Sequence, residues 1–405
     1  MSRKYFHLFI AIGLLYSCAP ASANSLYSRI GVGSIHLRAG VRASGMGNTS
    51  LAMADGLAID LLNPAALASI QFARLQTQFS IASANVELTS GRGRFREANF
   101  NGISLALPVK RGYAVAIGFH PYSRAGFTLN QSGSDANGTH EEIYSGNGGI
   151  DVAYLAFSGS IGGAASQSAL RYGLVADFYF GRIQRTWRVN FSNGSLTPTE
   201  DRTGAYFRGV GYHAGAQWVH PRWQLGVAVR PPIDLDVETE VEYVFGAKSE
   251  TIRATARLPL WFGLGAGYRA GSKWQLAAEY RMQRWGSVPD DLDLGAALGN
   301  SRDIALGFEF TPSRNLIDGY LKRISYRAGA TFSKLPYEDP VGHSISEWVV
   351  TSGFGFPFRR GTGRIDMAFE FGKRGNLDSN IAAESIMRLS FSINGAERWF
   401  ARNSP

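Results

Sequence analysis

Arg364-Ile365-Asp366-Met367-Ala368-Phe369-Glu370-Phe371-Gly372 alternates without a break: its odd positions are large and apolar, its even positions charged or small. Successive side chains of a strand point to opposite faces, so this stretch has one greasy face and one polar face. The same pattern returns at Leu75, Thr77, Phe79 and Ile81, at Ile304, Leu306, Phe308 and Phe310, at Tyr326, Ala328, Ala330 and Phe332, and at Met387, Leu389, Phe391 and Ile393. Segments of about ten residues are what a tilted strand needs to cross a bilayer. A strand in lipid cannot leave an unpaired edge, so the sheet must close. The expected fold is all-β, a transmembrane antiparallel β-barrel.

Fourteen strands are expected, near 73–86, 98–109, 113–122, 146–161, 168–181, 205–219, 222–231, 256–269, 273–285, 301–312, 323–333, 345–358, 363–374 and 385–395. The connections 87–97, 123–145, 182–204 and 232–255 read as long; those between them, such as Lys110-Arg111-Gly112 and Ala270-Gly271-Ser272, read as tight. Short periplasmic turns opposite longer outer loops are the pattern of outer-membrane barrels. Arg182 to Asn190 and Leu235 to Tyr243 also look strand-like, either extending strands above the membrane or raising the count to sixteen. Both mature termini are expected in the periplasm. Trp218, Trp223, Trp261, Trp274, Trp285 and Trp348 sit near strand ends, where an interfacial girdle would place them.

Gly is abundant (48 of 405 residues), aromatics make up 12% and charged residues only 18%, a mixture that suits neither disorder nor a helical bundle. Beyond the N-terminus no apolar run is long enough for a transmembrane helix. Arg3, Lys4, the apolar Leu8 to Leu15 and the small-x-small Ala21-Ser22-Ala23 read as an export signal over residues 1–23. The rival is a lipoprotein signal at Leu15-Tyr16-Ser17-Cys18, in which Tyr16 fits poorly. Cleavage near Asn24 discards Cys18, the only cysteine, and with it all thiol chemistry. The formal charge of +9 is mostly Arg, which suits phosphate-bearing outer-membrane lipids and lipopolysaccharide. A solvated surface accounts for it equally well, and an exported chain rarely meets nucleic acid.

Residues 24–72 do not alternate, and they are too many for a linker. Asn63 followed by Pro64 and Ala65 is a helix start, with Asn capping and Pro at the first helical position. The expected arrangement is a hatch with short helices over 24–72, a barrel over 73–395 and a periplasmic tail over 396–405. Irregular backbone is tolerated in a polar lumen but not in lipid.

Ser44-Gly45-Met46-Gly47-Asn48-Thr49, Ala52 to Asp55 and Leu62-Asn63-Pro64-Ala65-Ala66-Leu67 resemble the N-terminal hatch of the FadL/OmpP1/TodX family of outer-membrane transporters. The opening Ser25 to Gly33 and the ending Glu384 to Arg388 with Glu397-Arg398-Trp399-Phe400 resemble its Bacteroidetes-type variant, and the stretch Arg257 to Trp261 through Trp274 to Trp285 resembles the family's middle strands. The resemblance implies fourteen strands, a lumenal hatch and passive uptake of hydrophobic molecules such as long-chain fatty acids. It also implies a kinked third strand that opens a lateral exit. Here Pro121 falls in that strand; lacking an N–H, it either breaks the ladder or ends the strand at the outer rim. Related barrels also dock partner proteins without transporting anything, so a non-transporting or secretion-associated scaffold is the alternative.

No catalytic or cofactor motif emerges, and an enzyme is not expected. Gly263-Leu264-Gly265-Ala266-Gly267 has a spacing of two, which fits small residues along an inner strand face rather than a dinucleotide loop. Asp290, Asp291 and Asp293 lack the Gly and Glu of a calcium loop, and His140, Glu141 and Glu142 lack metal-ligand spacing. Asp177, Glu279, Arg281, Asp366 and Glu370 are expected to face inward and pair across strands. An apolar pocket between hatch and wall would favour transport; a lumen filled by side chains and hatch would favour a scaffold.

Overall fold

The computed structural model describes residues 25–397 except 38, 90, 136–137, 163–167, 193–196, 244–249, 286–297 and 340–341. The expected export signal, Asp290, Asp291, Asp293 and most of the expected tail lie outside the described residues.

The wall is one closed antiparallel sheet. Among the described residues its staves are β1 (Ala73–Leu88), β2 (Gly91–Lys110), β3 (Tyr113–Arg124, continued by Phe127–Asp135), β4 (Gly138–Gly162), β5 (Ala169–Phe191), β6 (Thr199–Val219), β7 (Trp223–Arg230 and Ile233–Tyr243), β8 (Glu250–Leu258 and Trp261–Ala270), β9 (Trp274–Gln283), β10 (Ser301–Phe310), β11 (Ser325–Glu338), β12 (Ser344–Phe358), β13 (Gly363–Arg374) and β14 (Ala382–Glu397). β14 pairs with β1 along its length, from Ala382↔Leu88 to Glu397↔Ala73, and this seam closes the cylinder. The count is therefore fourteen, not sixteen. β14 runs to Glu397, two residues into the expected tail.

The greasy faces point outward: Leu75, Ile81, Ile304, Leu306, Phe332, Phe371 and Met387 are all exposed. Each such side chain left in water forgoes about 1.5–3 kcal/mol, so only hydrocarbon makes this surface stable. Trp218, Trp223, Trp274 and Trp348 also face outward. Trp285 is buried inside and Trp261 packs against the inner cluster of Leu51 and Leu62, so neither belongs to a girdle.

The long connections expected between strands are mostly strand. β4, β5 and β6 run for 25, 23 and 21 residues, far more than a bilayer requires. Arg182 to Asn190 lies in β5 and Leu235 to Tyr243 in β7. What the sequence reads as loops are hairpins standing on one end of the barrel, hereafter the hairpin end; Lys110, His220 and Ala270 mark the short-turn end. The membrane boundary is written in the parity of the side chains. In β7, Leu225 and Val229 face outward, yet beyond Pro231-Pro232 the odd positions Ile233, Leu235 and Val237 are buried and Asp234, Asp236 and Glu238 face out. β8 inverts likewise about Pro259: Leu258 is buried, while Leu264 faces out and Gly263 in. Proline interrupts the ladder, and a change of phase sends every following side chain to the other face. Above that line the sheet stands in water, with its apolar side inward.

Residues 25–72 fill the lumen with three short helices, Leu26–Arg29, Val41–Ser44 and Pro64–Ser69, and a two-residue strand, Ser34–Ile35. The hatch begins at the hairpin end, where Ser25 N–H donates to Gly126 O, and enters the wall at Ala73, at the short-turn end. Ser25 and Glu397 thus lie toward opposite ends of the barrel.

Candidate functional site

The wall receives the hatch backbone because it carries glycine where the two meet. A Cβ on Gly226 would land on the Leu51 carbonyl, and one on Gly329 on the Gly47 amide. At Gly265 it would stand 2.8 Å from Leu51 Cβ and 3.0 Å from Ala52 N. The glycine-rich run of β8 is therefore the bed of the hatch segment Leu51–Met53.

Asn63 explains why its motif carries the family resemblance. Its Oδ1 accepts from Ala65 N–H (3.1 Å), capping the 3-10 helix at Pro64, while its Nδ2 donates to Leu51 O (2.7 Å) and, on the wall, to Ala216 O (3.1 Å). Pro64 and Ala65 sit against Gly173. A cap contributes about 0.5–2 kcal/mol, and an orphaned buried carbonyl costs about 1–3 kcal/mol. Asn63→Asp keeps the cap acceptor but sets an anion against two carbonyls. It is expected to lower the thermal unfolding midpoint more than Asn63→Ser, as heat-modifiable gel mobility would show; equal midpoints would remove Nδ2 from the account.

Toward the short-turn end, six charges, all buried but the partly exposed Asp55, tie hatch to wall. Arg42 and Asp55 belong to the hatch; Glu309, Arg327, Arg364 and Asp366 belong to β10, β11 and β13. Arg42 bonds Glu309 (3.0 Å) and lies 3.3 Å from Asp55; Arg327 bonds Glu309 and Asp366 (both 2.7 Å); Arg364 bonds Asp55 (2.5 Å) and lies 2.7 Å from Asp366. Three guanidinium groups and three carboxylates leave no net charge. The inward residues read from the sequence also hold the hatch: both Ser50 and Leu51 amides donate to Glu279, Arg281 donates to Asn48 O (2.6 Å), and His213, bonded to Asp177, faces Leu61 O (3.1 Å). Glu370 pairs with Arg388 across strands (3.0 Å).

The third strand parts from the second at Pro121. β2 and β3 pair only from Lys110↔Tyr113 to Ile103↔Phe119; beyond that, β2 stays with β1 and β3 with β4, with a register slip between Pro121 and Ser123. Pro121 does not end the strand, which continues through Arg124 and Phe127–Asp135. The freed edge is occupied by the hatch. Ser34 and Ile35 pair with Arg124 and Ser123, and His36 N–H donates to Tyr122 O (2.8 Å). The stopper is moored on its other side too: Leu26 N–H donates to Glu384 (2.8 Å), Tyr27 Oη to Ala382 O (2.7 Å), and Tyr337 Oη to Gly33 O (2.8 Å). Burial, reinforced by Glu384, pushes the Tyr27 phenol well above its ordinary range, so it remains a donor.

Behind the stopper lies a chamber of about 240 Å³, lined by Ser34, His36, Gln78, Asn101, His120 and Pro121 and by the charged Asp303, Lys334, Glu347, Glu370, Arg374 and Arg388. Pockets for hydrophobic ligands are typically ~300–1,000 Å³ and mostly apolar. This one is smaller and charged. His140 and Glu142 stand 3.6 Å apart on the hairpin-end extension of β4, away from the lumen's charged cluster. Among the described residues no group of three His, Cys, Asp or Glu could hold a metal ion.

A family model described as BamG matches residues 1–404. None of the curated proteins matches the chain. Three solved structures are similar: the CymD monoaromatic hydrocarbon channel (15% identity over 91% of this chain and 99% of that one, TM-score 0.57), the P. putida toluene transporter TodX (14%, 90% and 100%, 0.58) and a Pseudomonas aeruginosa FadL homologue (12%, 89% and 98%, 0.59). At these identities the likeness establishes a shared barrel fold.

Proposed function

We propose, given that the chain belongs to the BamG family, that the protein is a stoppered outer-membrane barrel acting as a scaffold that docks envelope proteins. The observation that carries this reading is the stopper. The lateral gap at Pro121 is hydrogen-bonded shut by the hatch strand, and the chamber behind it is charged rather than greasy. A hydrophobic solute entering there would strip water from Lys334, Glu347 and Arg374 with nothing to replace it. Short turns face the periplasm in such barrels, so the hairpin tier of β4–β7 stands outside the cell. Its outward Asp234, Asp236 and Glu238, and the apolar Ile317 and Leu321 at the opposite rim, supply two unlike surfaces for partners.

A second reading is passive transport of hydrophobic small molecules such as long-chain fatty acids. It is favoured by the parting of β2 and β3 and by the fold shared with hydrocarbon channels. Uptake of labelled fatty acid and toluene separates the two. Equal uptake by a deletion strain and its complement, with protein partners co-purifying in fixed ratio in mild detergent, is the expected result. Uptake that follows the presence of the protein would establish the second reading and remove the first.

A further inference from the structure

At the short-turn end, periplasmic in the orientation proposed above, the barrel mouth holds a separate cavity of about 480 Å³. Seven arginines line it. Two, Arg42 and Arg364, are neutralised by Asp55, Glu309 and Asp366. The other five, Arg74, Arg171, Arg269, Arg314 and Arg323, have no carboxylate within ion-pair distance among the described residues. They come from distant parts of the chain: the starts of β1 and β5, the end of β8, and the loop between β10 and β11. Arg74 is 2% exposed; its Nη1 donates to two backbone carbonyls, Leu57 (3.2 Å) and Thr362 (3.1 Å), and its Nε is buried without a partner. Arg323 Nε is likewise buried and unpartnered.

Five like charges converging on one cavity repel one another, and a buried guanidinium N–H without an acceptor is costly. A group with several anionic oxygens relieves both. Guanidinium matches phosphate in planar, two-pronged geometry, and a cavity of this size admits a headgroup. The loop that supplies Arg314 and Arg323 also straddles the rim. Its Leu316 lines the cavity, its Ile317 and Leu321 are 90% and 71% exposed, and the outward-facing Tyr326 donates to Leu321 O (3.1 Å). Apolar side chains flanked by arginine at a membrane rim suit a charged amphiphile, head inward and chain across the loop.

We propose that the mouth is a binding site for a phosphate group of net negative charge, carried by an anionic phospholipid of the periplasmic leaflet or free in the periplasm. This inference stands apart from the scaffold reading, since it concerns the opposite end of the lumen and does not require the stopper to be shut. The test is calorimetric titration of the purified protein in non-ionic detergent with dihexanoylphosphatidylglycerol, dihexanoylphosphatidylcholine and inorganic phosphate. Phosphatidylglycerol is expected to bind, and Arg171→Gln with Arg269→Gln to weaken it at least about tenfold. Arg111→Gln with Arg222→Gln, exposed in turns of the same end, should leave it unchanged. Arg314→Gln with Arg323→Gln, in the loop, repeats the test should the wall variant misfold. Binding of inorganic phosphate as well points to the free anion, and binding of the lipid alone to a headgroup. No binding of either, equal binding of phosphatidylcholine, or equal weakening by the turn variant overturns the proposal.

Discussion

Arg42→Met is expected to destabilise the barrel by about 3–5 kcal/mol, because removing one member of a buried charge cluster strands its partners. Asp55 and Glu309 would then share the remaining guanidinium groups of Arg364 and Arg327, and the largely buried cluster would carry a net negative charge. Asp55→Leu should cost a similar amount with the opposite sign of surplus. The double variant removes one charge of each sign and leaves the wall tetrad of Glu309, Arg327, Arg364 and Asp366 balanced. It should therefore be less damaging than the sum of the single changes, by roughly 1–3 kcal/mol, the usual coupling of residues in one network. Urea unfolding of the four proteins in the same detergent measures this cycle. Strict additivity would mean that Arg42 and Asp55 do not act through the cluster.

Replacing residues 25–36 with a Gly/Ser segment of equal length should open the lateral gap while leaving the wall closed. The wall is sealed by the backbone ladder of β14 on β1, to which the hatch contributes no strand. The gap is sealed only by the hatch strand and its moorings to Glu384, Ala382 and Tyr337. Losing these leaves the edge of β3 unpaired between Phe119 and Arg124. Well-resolved conductance steps are expected in planar bilayers, where the native protein should be silent, together with entry of labelled toluene into proteoliposomes. A silent variant that is still heat-modifiable, and so still folded, would place the seal elsewhere, in the charged cluster below.

The charged cluster was only half legible in advance. Asp366 and Glu370 declare themselves as polar steps in an alternating strand, so their inward direction follows from period two. Glu370 finds Arg388 on the neighbouring strand, but the wider cluster of Asp366 does not follow, because Arg327, Glu309 and Arg42 are distant in sequence and meet only when the sheet curls around the hatch. Pro121 marked a break that any strand containing it would suffer. What occupies the break, Ser34 and Ile35, carries no local signal: two residues are too short to show a period. The hairpin tier was legible only in part. Arg182 to Asn190 and Leu235 to Tyr243 look strand-like in the sequence, but that they extend existing strands follows only from the structure, where the alternation inverts beyond Pro231-Pro232 as the outer face passes from hydrocarbon to water.

The amino-acid sequence alone determined the closed transmembrane barrel, its alternating strands, its glycine-lined inner face and the capped Asn63 turn, while leaving fourteen or sixteen strands open. Each depends on neighbours a few residues apart and on the backbone's need for hydrogen bonds in lipid. Only the tertiary structure decided that the third strand's free edge is stitched shut, that the chamber is charged and that five arginines share one mouth. These are meetings of residues hundreds of positions apart, set by register and curvature around a plug, and no local pattern of side chains encodes them.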